Sequence, residues 1–174
     1  MFSSWLVHEV RPGNEIEVQT PVGSFRADPS VGGRHLCIAA GSGITPILSI
    51  ASTVLADPDT EVTLLYGNRT SGSVMFIEDL GDLTNIHGPR FQLVHVLSRE
   101  PRDAELFAGR LDAVRLRRLL TALVPVQSVD HVWLCGPFAM INDARAVLDE
   151  LGVPAGPGAL RALLRRRAAA RAGP

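Results

Sequence analysis

The chain has 174 residues, 46% hydrophobic and 20% charged, which is enough to bury a core in one domain with at most a small appendage. A formal net charge of -1 supplies no broad field for steering toward nucleic acid or an anionic membrane. All 17 basic residues are arginine, which together with the abundant alanine reflects a GC-rich coding sequence and not a binding surface.

Residues 1 to about 30 read as antiparallel β. In NEIEVQTPVGSF, Ile16 and Val18 alternate with Glu15, Glu17 and Gln19, as in a half-exposed strand. From His35 to about Val153 apolar strands alternate with helices. HLCIAA, EVTLLYG, FQLVHVLS and HVWLCG are near-continuous apolar runs, a pattern that implies burial on both faces, as in a parallel sheet. Helices are expected over 46–56, 73–83, 112–123 and 138–151, with Thr45 and Pro46 as an N-cap and N1 pair and Gly152 as a helix stop. The predicted fold is α/β, a doubly wound parallel sheet spanning residues 31–154. In RLRRLL, residues 115–120, the arginines read as the outer face of an amphipathic helix, with docking of an acidic redox partner as the alternative. Residues 155–174, where Leu160, Leu163 and Leu164 share one helical side among arginines, read as a short basic helix or a frayed tail.

Cys37 and Cys135 lie far apart without C-x-x-C spacing, so neither a zinc site nor a disulfide framework is indicated and a reducing, cytoplasmic setting is expected. No apolar stretch approaches the roughly 20 residues of a bilayer span, and the N-terminus lacks a basic region leading into an apolar signal core. His8, His35, His87, His95 and His131 are scattered, with no pair at i, i+4 spacing, so no metal site is expected. GSG at 41–43 is not a G-x-S-x-G nucleophile elbow.

The chemistry concentrates in three turns that follow strands. In CIAAGSGITPILSI a buried strand enters a turn at Gly41, Ser42 and Gly43, and a helix follows through Ile44, Thr45 and Pro46. Such a turn lets the backbone approach a pyrophosphate while the helix aims its unpaired N–H groups and partial positive charge at the phosphates. Glycine also supplies tight turns that hold nothing, so the motif alone leaves both readings open. The second strand ends LLYGNRT, with Asn68, Arg69 and Thr70 in the loop and no acidic residue near in sequence. An arginine there suits the 2′-phosphate of NADP and a carboxylate the 2′-hydroxyl of NAD, so NADPH is favoured; the alternative is a solvated loop arginine. The fourth strand ends VWLCGPFAMI, where Cys135, Gly136, Pro137 and Met140 are placed across the crevice from the first turn, with a purely structural cysteine as the other reading.

In this order and spacing the three segments resemble the ferredoxin–NADP reductase superfamily, in particular its flavin-dependent oxygenase reductases, over roughly residues 2 to 153. FSSWLVHEVRPGNEIEVQTPVGSF is similar to the end of that family's flavin-binding barrel, including P-x-G-x-F at Pro21, Gly23 and Phe25, so residues 1–30 are expected to be a barrel remnant. The resemblance implies hydride transfer from NADPH to FAD and onward transfer of electrons to an iron–sulfur protein or oxygenase subunit. It implies that Gly41, Ser42, Gly43, Ile44 and Thr45 hold the NADP pyrophosphate and that Asn68 and Arg69 contact the 2′-phosphate. Cys135, as the catalytic residue, and Gly136 would border the nicotinamide, and Ser3 would bond the flavin pyrophosphate. The sequence also departs from the family. The R-x-Y-S flavin motif is absent, no cysteine follows Cys135 to build a plant-type ferredoxin cluster, and the family's final strand has no match in the arginine-rich tail. The expectation is a truncated reductase that binds NADP(H), takes FAD only with a separate flavin-domain chain, and has no nucleic-acid or membrane partner. A nucleotide-binding module without activity of its own is the alternative.

Overall fold

A computed structural model of the protein describes residues 2–153 and 160–164. A short helix, α1 (Phe2–His8), precedes β1 (Arg34–Ala40), α2 (Ile44–Val54), β2 (Glu61–Asn68), α3 (Ile77–His87), β3 (Phe91–Leu97), α4 (Ala113–Leu123), β4 (His131–Gly136), α5 (Phe138–Glu150) and β5 (Leu160–Leu164). The five strands are parallel and lie in the order β3-β2-β1-β4-β5. The order reverses at β1, which opens a crevice between the C-terminal ends of β1 and β4, the place where open α/β sheets bind ligands.

Strand alternation divides the core into two layers. Cys37 and Ala39 of β1 and Trp133 and Cys135 of β4 pack with α2 and α3, whereas Leu36, Ile38, Val132 and Leu134 pack with α4 and α5. In α4, Leu116, Leu119 and Leu120 are fully buried at helical spacing, and each such side chain contributes about 1.5–3 kcal/mol. The opposite side of α4 carries Arg117, bonded at both nitrogens to Glu150 of α5, and Arg118, paired with Glu105. Asp112 caps the helix, its side chain accepting from the Arg115 N–H at 2.9 Å. Gly152 ends α5 as expected: it is left-handed at φ 66°, its N–H bonds Asp149 O, and the Val153 N–H bonds Leu148 O.

Four sequence expectations are corrected. No strand forms over residues 2–33; the segment begins with α1 and continues irregularly, with Val18 and Val22 largely exposed. An alternating ribbon needs a neighbour to receive its backbone hydrogen bonds, and none pairs with it among the described residues. α2 begins at Ile44, so Thr45 and Pro46 fall inside its first turn, where the proline's missing N–H is harmless. α3 starts four residues later than expected, because a capping box between Thr70 and Ser73 closes a separate turn over Ser71–Ser73. The tail expected to be helical or frayed contains β5, parallel to β4 through Val132↔Leu160 and Gly136↔Leu164. The rest of that tail, 154–159 and 165–174, lies outside the described residues.

β5 also secures the N-terminal segment. The Arg161 guanidinium donates to the carbonyls of Ser24 at 3.2 Å and Arg26 at 2.6 Å and stacks over the Trp133 ring, while Phe25 meets that ring edge-on. At the N-terminal end of the sheet, the Trp133 indole N–H donates to His35 Nδ1 at 3.0 Å, and the His35 ring stacks on His131.

Candidate functional site

The three predicted turns converge at the C-terminal edge of the sheet. The register aligns Ala39 with Cys135, Ala40 with Gly67, and Asn68 with Leu97. After Ala40 the chain enters a left-handed conformation at Gly41, φ 53°, where a Cβ would meet no atom within 4 Å. One 3-10 turn over Gly41–Gly43 then leads directly into α2. Ser42 and Thr45 are exposed, Pro46 is half-buried, and Gly43 and Ile44 are buried. The hydroxyls of Ser42 and Thr45 therefore stand at the mouth of the turn, while Ile44 belongs to the core.

Gly43 has a second purpose. A Cβ there would lie 2.1 Å from the Cys135 carbonyl oxygen and 3.0 Å from the Gly136 nitrogen. The first and third turns thus touch backbone to backbone, which only glycine permits. Cys135 is buried, Gly136 half-buried, and Pro137 and Phe138 exposed; Met140 is buried with its Cε against Gly136. Cys37, on the same sheet face, is fully buried, and burial pushes its thiol up to about 12.

Tyr66 supports the crevice from beneath. It is fully buried; its hydroxyl donates to Gly41 O at 3.2 Å and accepts from the Met75 N–H at 3.3 Å. One phenol thereby links the glycine turn to the loop after β2. Tyr66→Phe removes both bonds and leaves a buried N–H unpaired, so it should destabilise the fold by about 1–3 kcal/mol in chemical denaturation. Asn68 is also buried, with its Nδ2 unpartnered among the described residues. Arg69 is exposed beside it and Thr70 half-buried. Ser3, assigned to flavin, is exposed on α1.

Sequence reasoning missed four residues at this edge. The Ser98 N–H bonds Asn68 O and the Arg99 N–H bonds Arg69 O at 2.7 Å, so the loops after β2 and β3 run together and bring a second exposed arginine alongside Arg69. Glu100 follows, its carboxylate bonded to Ser71. Phe76, exposed on the way into α3, holds φ 57°, a left-handed conformation costly for a bulky residue. Tyr66 could have been noticed as the chain's single tyrosine, at the end of an apolar strand. The others carry no local signal, since their placement depends on strand pairing.

The family described as the oxidoreductase NAD-binding domain matches residues 37–146, the stretch that carries all three turns. The chain belongs to that family. Its reductase relatives include a component of the 1,2-phenylacetyl-CoA epoxidase from Escherichia coli K12, 42% identical over 156 residues that cover 88% of this chain and 44% of the relative. The ferredoxin reductase component of 3-ketosteroid-9-alpha-monooxygenase from Mycobacterium tuberculosis is 35% identical, over 88% of this chain and 39% of its own length. Among solved structures, the Amycolatopsis cytochrome P450 reductase GcoB superposes with a TM-score of 0.75 at 27% identity, covering 92% of this chain and 46% of that one. The cytochrome b5 reductase domain of Ulva prolifera nitrate reductase shares the fold, with a TM-score of 0.75 at 23% identity over 94% of this chain and 65% of that chain. The chain therefore spans less than half the length of the two curated relatives. Among the described residues no helix is long and apolar enough to cross a membrane.

Proposed function

We propose that this chain is the pyridine-nucleotide-binding part of a flavin-dependent reductase, taking NADPH as hydride donor and serving an oxygenase or iron–sulfur partner. The observation that carries the reading is the contact of the two glycine turns: Gly43 locks against Cys135 O while the left-handed Gly41 keeps its open side to the crevice. That space fits a pyrophosphate, which the N-terminus of α2 and the Ser42 and Thr45 hydroxyls would hold. The orphaned Asn68 Nδ2, Arg69 and Arg99 would receive the adenosine ribose and its 2′-phosphate, and exposed Phe76 offers an apolar face for the base. Bound between the turns, the nicotinamide would lie by Cys135 and Gly136, where the buried strand ends exclude water from one side. The nucleotide supplies the hydride and a flavin accepts it.

Flavin belongs to the rest of the system. Residues 2–23, similar to the end of a flavin barrel, expose Val7, Val18 and Val22 at 73%, 80% and 94%, an apolar surface that a longer protein or a separate flavin-domain chain would cover. The same exposure supports the second reading, a nucleotide-binding module with no turnover of its own. Calorimetric titration with NADP+, followed by mixing with FAD and NADPH, separates these readings. Heat of binding with flavin bleaching supports a reductase, heat without bleaching supports the module, and no heat at millimolar nucleotide removes both.

Arg69→Ala and Arg99→Ala should each weaken NADP+ about tenfold, through loss of a charge-assisted bond, and leave NAD+ within about twofold. Equal losses for the two nucleotides would remove the guanidinia from the phosphate.

A further inference from the structure

The edge formed by the ends of β2 and β3 contains a carboxylate that the linear sequence hides. Glu100 accepts the Ser71 backbone N–H at 2.7 Å and the Ser71 hydroxyl at 3.0 Å through one carboxylate oxygen. The other polar groups of the turn are closed on themselves: the Thr70 N–H bonds Ser73 Oγ at 3.0 Å, and Ser73 Oγ donates to Thr70 O at 2.7 Å. Ser71 is exposed, so its two donors are the ones this turn offers outward, and Glu100 already occupies them. The Ser71 bonds, with Arg102 adding a smaller attraction, hold the Glu100 carboxyl below the usual range, so it is ionised at neutral pH. The turn lies directly after Arg69, whose carbonyl accepts the N–H of Arg99. An anion and two cations that form no bond with each other therefore share the edge assigned above to the adenosine ribose.

We infer that Glu100 is a specificity-determining residue of the nucleotide site: an internal anion on the Ser71 donors that competes with a ribose 2′-phosphate and tolerates an unphosphorylated ribose. The inference rests on the reading that this edge receives the adenosine half of the nucleotide. A phosphate monoester carries a charge of about −1.5 to −2 near neutral pH. To reach the Ser71 donors it must evict Glu100, and if it stays beside them it faces a like charge. A ribose hydroxyl has no such conflict, because it can donate to the carboxylate, the arrangement by which acidic residues read NAD. Arg69 and Arg99 pull toward the phosphorylated nucleotide, and Glu100 limits the preference they create.

The test is calorimetric titration of the chain and of Glu100→Gln with two probes of the adenosine half, 2′,5′-ADP and 5′-ADP. Glutamine keeps an acceptor for Ser71 and removes the charge, and the site lies at the surface, so folding should be unaffected and can be checked by circular dichroism. The variant is expected to bind 2′,5′-ADP about tenfold more tightly, the effect of removing one nearby charge from a multiply charged ligand, and 5′-ADP no more tightly than before. Glu100→Ala should shift the ratio in the same direction. If both probes bind and their ratio is unchanged in both variants, the role of Glu100 is overturned while the nucleotide site stands. If neither probe binds any of the proteins, the site assignment fails and takes this inference with it.

Discussion

Gly43→Ala should lower stability by about 3 kcal/mol, the upper end of overpacking costs, and the melting temperature by about 6–12 °C. Its φ of −64° is one that alanine adopts without strain, so the penalty is purely steric. The added carbon would stand 2.1 Å from the Cys135 carbonyl oxygen and 2.6 Å from its carbon. Both are main-chain atoms of a central strand and cannot swing away as a flexible side chain would. Relief requires the glycine turn to lift off β4, which separates the two halves of the crevice, so nucleotide affinity should fall at least about tenfold with stability. Gly41→Ala is the matched control. There the backbone is left-handed, but the space around the added methyl is empty, so the stability cost should be only about 1–2 kcal/mol. Thermal melts and NADP+ titrations of both variants check this. A Gly43→Ala protein that melts like the parent would disprove the backbone contact.

Acid should destabilise the protein well above the range in which its carboxylates titrate. His35 is 3% exposed, accepts the Trp133 indole N–H at Nδ1, and leaves its Nε2 without a partner among the described residues. Burial, and secondarily the adjacent His131, lower its pKa from 6.5 to about 4, with Asp130 acting weakly the other way. In the unfolded chain the ring titrates near 6.5. Below that pH the unfolded state binds a proton that the folded state refuses. The stability contributed by the neutral buried ring is thus complete above pH 6.5, is lost progressively as pH falls to 4, and changes no further below. The whole span is about 3 kcal/mol. Urea unfolding at pH 7, 5.5 and 4.5 should show the decline, and His35→Gln, which retains an acceptor for Trp133, should flatten it. A slope in that variant equal to the parent's would assign the acid sensitivity elsewhere.

The features legible in the sequence are those set by neighbours along the chain. Each apolar run read as a strand became a parallel strand, and Gly152 ended α5 through adjacent backbone bonds. What misled was pattern without context. LRALL suits one side of a helix as well as a strand; the open edge of β4 decides for β5. Ile16 and Val18 alternate as a strand does, but alternation records only a wish to bury one side, and no partner strand meets them among the described residues. At the site, reading the loop after β2 for an acidic residue found none, because the relevant carboxylate is Glu100, 29 positions from Ser71 and delivered by β3. The buttress from Tyr66 to Gly41, 25 positions apart, is likewise a product of packing. Phe76 shows nothing unusual as a letter; its left-handed backbone is imposed by the closed turn before it.

The hold of Arg161 on the carbonyls of Ser24 and Arg26 fixes where the molecule can bend. Whatever residues 2–23 carry cannot swing about the start of the sheet, since the knot at Phe25 and Trp133 immobilises that approach. Any pivot must sit upstream, so in a reductase built this way the distance between the two redox partners is governed from the far edge of the sheet, by a strand that never touches the nucleotide turns.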